Sequence, residues 1–370
     1  MLTAAIESAT EKGRHTSPSL VAEISTLFFS RGRGRGHAIP DLEIVRELAQ
    51  ITDAITVQFV SYATGAATFR AEGQPVIDLG LPEENSFVET IRLASRTIER
   101  FRPQVVISHE EFGAVVAAKL AGIPSIFVCT WLPPVDSIAA EAVALADSVL
   151  IIERPGLFPV LPGLADRLTH VGPILRKMKY SLEDRAQVRG ELGIEPDALT
   201  ILVVPGGAWP EAVAPIWDTV LGAFLAAQRP AKRLIWLAGQ DFKLLQERSA
   251  GVLGIDVIEY CTPVERLIVA ADVVITKGTH GISLDAASVG VPSISLSTGQ
   301  NPIDEVLVPR IHNNVALMAN AVSSSILLEY IEAVTDGATP RPPLRAGLYD
   351  KPGATLAAEH IAEAIRRLTT

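Results

Sequence analysis

Two glycine-bearing stretches hold most of the residues whose types and spacing could do chemistry. The first, SRGRGRGHAIPD (30–41), puts three glycines, three arginines and a histidine into one short turn. Glycines let a ligand come close to the backbone. The imidazole of His37 is the side chain best suited to move a proton near neutral pH. The second, KGTHGISLDAASVGVP (277–292), carries Gly278 and Gly281 just before a helix-like segment. The free N–H groups of Gly281, Ile282 and Ser283 would point at an anion there, helped by the helix dipole. Asp285 follows within the first turns and can accept both hydroxyls of a vicinal diol, each charge-assisted hydrogen bond contributing about 1.5–3 kcal/mol. Pyrophosphate at the loop and ribose at the acid describe a nucleoside diphosphate.

The first stretch does not fit the common phosphate loops. A dinucleotide fingerprint needs Gly-x-Gly-x-x-Gly and an acidic residue ending the next strand. Here the order is Gly32, Gly34, Gly36, His37, and the next strand ends FVSYATG. The Gly-Lys-Ser/Thr of a P-loop is absent too. What remains is a turn of minimal bulk with His37 at the helix start, as a proton carrier or as a simple cap. Arg31, Arg33 and Arg35 either meet an anion or are solvated.

A second polar cluster, His109, Glu110 and Glu111, sits where the strand QVVIS meets the segment EFGAVVAAKLAG. That is the carboxyl edge at which open α/β sheets bind ligands. Glu111 with Glu110 could serve as a base or orient an acceptor, or be an acidic pair favoured by a helix N-terminus. Trp131, before Leu132-Pro133-Pro134, either lines an acceptor pocket or caps the core. Lys277 either adds a point charge beside a diphosphate or is solvated. No HExxH, His/Cys cluster or Asp-x-Asp points to a metal.

These residues need strands and helices to position them. Apolar runs rich in Val, Ile and Phe alternate with helix-like segments: strands at 24–30, 55–62, 104–109, 124–130 and 148–153, helices at 42–49, 87–101 and 111–122. The lack of apolar/polar alternation predicts a parallel sheet covered on both faces. The pattern pauses around THVGPILRK (169–177). It restarts with strands at 200–207, 233–239, 256–260, 272–278 and 292–297 and a helix at 214–228. The expected organisation is a loose leader (1–20), an α/β domain (21–172), a second α/β domain (173–350) and a final helix (355–368) that returns to the first.

With 370 residues, 48% of them hydrophobic, two domains are the natural prior. A net charge of −10 argues against a nucleic-acid partner. Cys129 and Cys261, both in apolar surroundings, read as separate thiols in a reducing compartment. No apolar run of about 18 residues is present, and the leader lacks a signal-peptide core. The reading is cytoplasmic, with peripheral membrane contact and oligomeric state left open.

At residues 272–292 the chain resembles the GT-B glycosyltransferases, whose donor signature reads roughly His/Lys-x-Gly-x-Gly-Thr-x-x-Glu-Ala followed by Gly-hydrophobic-Pro. Lys277, Thr279, His280, Gly281, Ile282, Asp285, Ala286 and Gly290-Val291-Pro292 fall in register. The nearest group by motif is the MurG-like enzymes and galactolipid synthases. The resemblance continues through GQNPIDE (299–305), which places Gln300 and Asn301 at the donor sugar. VIEYCTPVERLIVAADVVI (257–275) places Tyr260 and Cys261 beside the base, and VVPGGAW (203–209) places Gly207 near the phosphates. GRGRGHAIP resembles the acceptor-side loop, with Gly34 and Gly36 flanking the acceptor. Departures are Asp285 for the usual Glu, Ile282 for Thr or Ser, and Ala-Trp-Pro after Gly206-Gly207.

The resemblance implies two Rossmann-like α/β domains across a cleft. It also implies inverting, metal-independent transfer of a sugar from a nucleoside diphosphate, UDP in the nearest group, to a lipid or small-molecule hydroxyl. The nucleotide sugar is then a substrate, and no separate cofactor is expected. His37 is the first choice of base and Glu111 the second. The alternatives are a nucleotide-sugar hydrolase or 2-epimerase of the same fold, or a non-catalytic nucleotide-sugar-binding subunit.

Overall fold

The computed structural model describes residues 23–205, 213–259, 261, 263–278, 280–297, 299, 306–311, 314–336 and 351–369. The first sheet comprises β1 (Ile24–Ser30), β2 (Ile55–Ser61), β3 (Val76–Asp78), β4 (Val105–His109), β5 (Ser125–Cys129), β6 (Ser148–Ile151) and β7 (Leu168–His170). All pairings are parallel, in the order β3-β2-β1-β4-β5-β6-β7. Helices α1 (Ala38–Ile51), α2 (Ala63–Ala71), α3 (Phe87–Phe101), α4 (Phe112–Leu120) and α5 (Ile138–Ala144) connect these strands. Two-sided cover explains the unbroken apolar runs: every residue of β4 and β5 is buried.

The second sheet comprises β8 (Leu199–Val204), β9 (Lys232–Leu237), β10 (Ile255–Ile258), β11 (Val273–Thr276), β12 (Ser293–Ser297) and β13 (Asn314–Met318). It is also parallel, in the order β10-β9-β8-β11-β12-β13. Its helices are α6 (Arg185–Glu191), α7 (Val213–Ala226), α8 (Phe242–Arg248), α9 (Glu265–Ala270), α10 (His280–Val289) and α11 (Ser324–Thr335). Trp217 and Trp236 meet at 4.5 Å between ring centroids in its core.

A final helix, α12 (Gly353–Thr369), packs against α1 rather than against the second sheet. Ala357, Ala358, Ile361 and Ile365 share one core with Phe28, Leu42 and Leu48. Thr355 Oγ1 donates to Glu47 at 2.9 Å, and His360 Nε2 lies 3.0 Å from Ser148 Oγ.

Short or polar edge elements depart from the sequence reading. The pause at 169–177 contains the end of an edge strand, β7, paired with β6. The edge strands β3 and β13 span only 3 and 5 residues, too short to be recognised alone. Helix α1 begins at Ala38, ahead of the apolar segment at 42–49, because Pro40 falls in its first turn, where a missing N–H costs nothing. Cys129 and Cys261 are both free thiols.

In each sheet the strand order reverses at the centre, between β1 and β4 and between β8 and β11. The loops leaving those strands splay apart, and ligands bind in the crevice so formed. Residues 31–37 and 110–111 flank the first switch point. Lys277, Gly278 and His280 flank the second.

Candidate active site

The turn after β1 is tied down by close approach and by backbone bonds. A Cβ at Gly32 would lie 2.3 Å from the Tyr62 ring and its carbonyl, so only glycine fits. Arg31 N–H donates to the His109 carbonyl at 3.2 Å. Gly34 takes a left-handed φ of 65° and sends its N–H toward Glu83 Oε1 at 3.4 Å. Around Gly36 there is open space within 4 Å of a built Cβ.

His37 occupies the N-cap position of α1, yet its side chain makes no capping bond. Its Nε2 instead lies 3.1 Å from Glu110 Oε2. Glu110 has a φ of 52°, a left-handed backbone on a side chain that disfavours it, at a cost of about 1–3 kcal/mol. Three bonds hold it there: Glu110 N–H to the Val128 carbonyl at 3.0 Å, Thr130 N–H to Oε1 at 3.0 Å, and the Trp131 indole N–H to Oε2 at 3.2 Å. The Arg31 guanidinium stands 3.9 Å away. Burial works to raise the Glu110 carboxyl, but the hydrogen bond and charge of His37, with His109 and Thr130, overcome it and hold it at about 2. An ionised Glu110 is only an acceptor, so His37 Nε2 carries the proton and neutral His37 keeps its lone pair on Nδ1.

Behind this pair lies a second one. His109 Nδ1 is 2.6 Å from Asp41 Oδ1, both side chains fully enclosed. Burial opposes charge on His109, and the Asp41 carboxylate, then Glu110, more than compensate and raise its pKa. The His37 and His109 rings meet edge to face at 4.8 Å between centroids.

Glu111 turns away from His37. It accepts the Tyr62 hydroxyl at 2.9 Å. Burial, then the Glu111 charge, push that phenol up to about 12. Burial likewise raises the Glu111 carboxyl. The two adjacent glutamates thus divide: Glu110 grips the imidazole and Glu111 grips the β2–α2 turn.

In the second domain Gly278, with φ 85°, turns the chain from β11 toward α10. Gly281 and Ile282 stand in the first turn of α10, at the positive end of the helix dipole. Ser283 Oγ joins a buried hydroxyl cluster with Thr276 Oγ1 (3.4 Å) and Ser295 Oγ (3.4 Å), and the Ile282 side chain packs on the core. Lys277 Nζ is buried. Cys261 is half-buried, with its sulfur 3.7 Å from the Pro263 carbonyl.

Asp285 does not stand open to solvent. Its Oδ2 accepts from Arg176 Nε at 3.2 Å, and Arg176 also lies 3.8 Å from Glu72. Burial lifts the Asp285 carboxyl to about 6 even beside this guanidinium. Pairing in turn keeps Arg176 charged against its own burial.

Ion pairs link the two domains. Glu153, just past β6, lies 3.2 Å from His280 at the start of α10. Glu72 and Asp285, one from each domain, share Arg176. Asp41, Arg176 and Glu153 were missed as site residues. Of these, Asp41 alone had a signal, a carboxylate one helical turn after His37 on the apolar stripe with Ala38 and Leu42. Gly207, Tyr260, Thr279, Gln300 and Asn301 lie outside the described residues.

No protein-family profile matches the chain. A curated relative, an uncharacterized glycosyltransferase of Methanopyrus kandleri, is 26% identical over 300 residues, covering 75% of this chain and 80% of its own. The crystal structure of MurG from Acinetobacter baumannii superposes with a TM-score of 0.57 at 15% identity, over 93% of this chain and 99% of that one. The fold is GT-B. A putative UDP-N-acetylglucosamine 2-epimerase from Listeria monocytogenes shares it, with a TM-score of 0.63 at 14% identity over 93% and 96% of the two chains. In GT-B terms the His37–Glu110 pair lies on the first domain's side of the cleft and α10 on the second's. The chain is glycosyltransferase-like in sequence and fold.

Proposed function

We propose that the chain transfers a sugar from a UDP-linked donor to a hydroxyl acceptor, lipid or small molecule, with inversion and without a metal. The observation that carries this reading is the imidazole of His37, held by a buried ionised carboxylate at the first switch point. Glu110 fixes the Nε2–H tautomer, stabilises the imidazolium that forms, and leaves Nδ1 to take the acceptor proton. Nδ1 lies beneath the surface, so acceptor entry must uncover it. The leaving diphosphate meets the N-terminal end of α10, whose dipole neutralises part of its charge. The ribose takes Asp285, and for that it must displace Arg176.

Calorimetric titration of UDP, in EDTA, into wild type and Asp285→Ala tests the donor half. The variant should lose most of the affinity; equal binding would sink the ribose assignment. His37→Ala should keep UDP affinity and lose transfer from UDP-sugars. Release of UDP from a UDP-sugar with no acceptor present would instead mark a hydrolase or a 2-epimerase.

A further inference from the structure

We propose that the sealed Asp41–His109 pair sets the charge of His37: it holds the His109 ring as an imidazolium, and that fixed charge keeps the neighbouring His37 ring neutral and able to accept a proton. The inference rests on His37 as the base of the proposed transfer. His109 closes β4 and Asp41 lies in the first turn of α1. His109 Nδ1 stands 2.6 Å from Asp41 Oδ1, and both side chains are sealed from water. The His109 ring also carries a hydrogen bond to the backbone carbonyl of His37, which takes the Asp41 N–H at 3.2 Å as well. Its Nε2 has no other partner among the described residues. A carboxylate and a carbonyl are both acceptors, so together they call for a proton on each nitrogen of His109.

The surrounding groups favour the same assignment. Glu110 adds its negative charge to that of Asp41 in support of a charged His109. Arg31 stands 3.9 Å from Glu110, and Glu111 faces Tyr62 rather than either imidazole. Burial, and then Glu110, keep Cys129 on the next strand a neutral thiol. The His37 and His109 rings meet at 4.8 Å between centroids, a distance at which one positive charge disfavours a second. Both rings are largely enclosed, so solvent screens that repulsion weakly. His109 has a carboxylate to itself, whereas His37 shares Glu110 with Thr130, Trp131 and Arg31. The charged ring is therefore His109. Glu110 draws a proton toward His37 and His109 repels it. That balance leaves His37 with a lone pair at rest and still lets it take a proton from the acceptor. With Glu110 alone beside it, the ring would favour the imidazolium and have no lone pair to offer.

The test is nuclear magnetic resonance of the full-length protein labelled with ring-¹⁵N histidine. The His37 and His109 signals are identified among the seven histidines by their loss in His37→Gln and His109→Gln. At about pH 7 the wild type should show a proton on His37 Nε2 alone and protons on both nitrogens of His109. In Asp41→Asn the His109 ring should lose its charge. In both Asp41→Asn and His109→Gln the His37 ring should gain its second proton. Thermal melting checks that each variant is folded, and the wild-type spectrum decides the charge of His109 without any variant. In the folded variants, transfer from a UDP-sugar should fall roughly 10-fold or more at neutral pH and recover as the pH rises, at unchanged UDP affinity. A merely structural role would lower transfer at every pH. A bare nitrogen on wild-type His109, or an unchanged His37 ring in a folded variant, overturns the proposal. Ring states as expected, with transfer unaffected at every pH, overturn His37 as base while leaving the charge-setting pair standing, so the two failures read differently.

Discussion

Because His37, Thr130 and Trp131 all bond to Glu110, its carboxylate stays ionised down to about pH 2. A carboxyl whose folded pKa is depressed contributes stability above its unfolded value, near 4.5, that disappears as the pH falls through about 2. The contribution is on the order of 3 kcal/mol. Glu110→Gln should therefore be less stable at neutral pH and show a shallower loss of stability between pH 4.5 and 2, measured by urea melts across that range. The same change should lower transfer roughly 100-fold or more at constant UDP affinity, since it removes the group that orients the base. Asp285 behaves oppositely. With its carboxyl lifted to about 6, UDP affinity should rise from pH 5 to pH 7, as the carboxylate forms to accept the ribose hydroxyls. In Asp285→Asn the rise should vanish; a flat profile in wild type would count against Asp285 as the ribose ligand.

At the scale of elements, the tightness of the first loop is unevenly distributed. Gly32→Ala forces a Cβ into Tyr62 and should cost several kcal/mol, while Gly36→Ala meets open space and should leave the melting temperature nearly unchanged. Differential scanning calorimetry of the two variants separates a packing glycine from a permissive one. Helix α3 ends at Arg102 with φ 48° before Pro103. Arg102→Gly should stabilise by about 0.5–1 kcal/mol. Central strands and amphipathic helices were legible in the sequence because burial writes itself into apolar runs: β1 and α3 fall where read. The partnership between His37 and Glu110 was half legible. Both positions stood out, but the choice of Glu110 over Glu111 depends on a left-handed backbone at Glu110, which composition does not encode. Asp285's engagement by Arg176 comes from a contact between elements far apart in sequence, and nothing local announces it.

At the scale of the whole molecule, the two domains meet through charges rather than through apolar residues alone. Arg176, shared by Glu72 and Asp285, and the Glu153–His280 pair tie the cleft walls together when no donor is bound. Arg176→Met should loosen this tie, and small-angle scattering should show a larger radius of gyration for the variant than for wild type; identical curves would argue against a bridging role. No described helix is long and apolar enough to cross a membrane.

The return of α12 to the first core also orders events in time. Phe28, Leu42 and Leu48 are synthesised early, but the alanines and isoleucines that seal them lie at 354–365. At about 5–20 residues per second, ribosomal synthesis of the intervening second domain takes on the order of ten seconds or more. Through that interval the nascent first domain carries an unsealed apolar groove beside α1. The second domain, contiguous in sequence, can close its own sheet first. A segment made after the second domain therefore finishes the first, and a chain stalled short of residue 353 would present that groove to any chaperone at the exit tunnel.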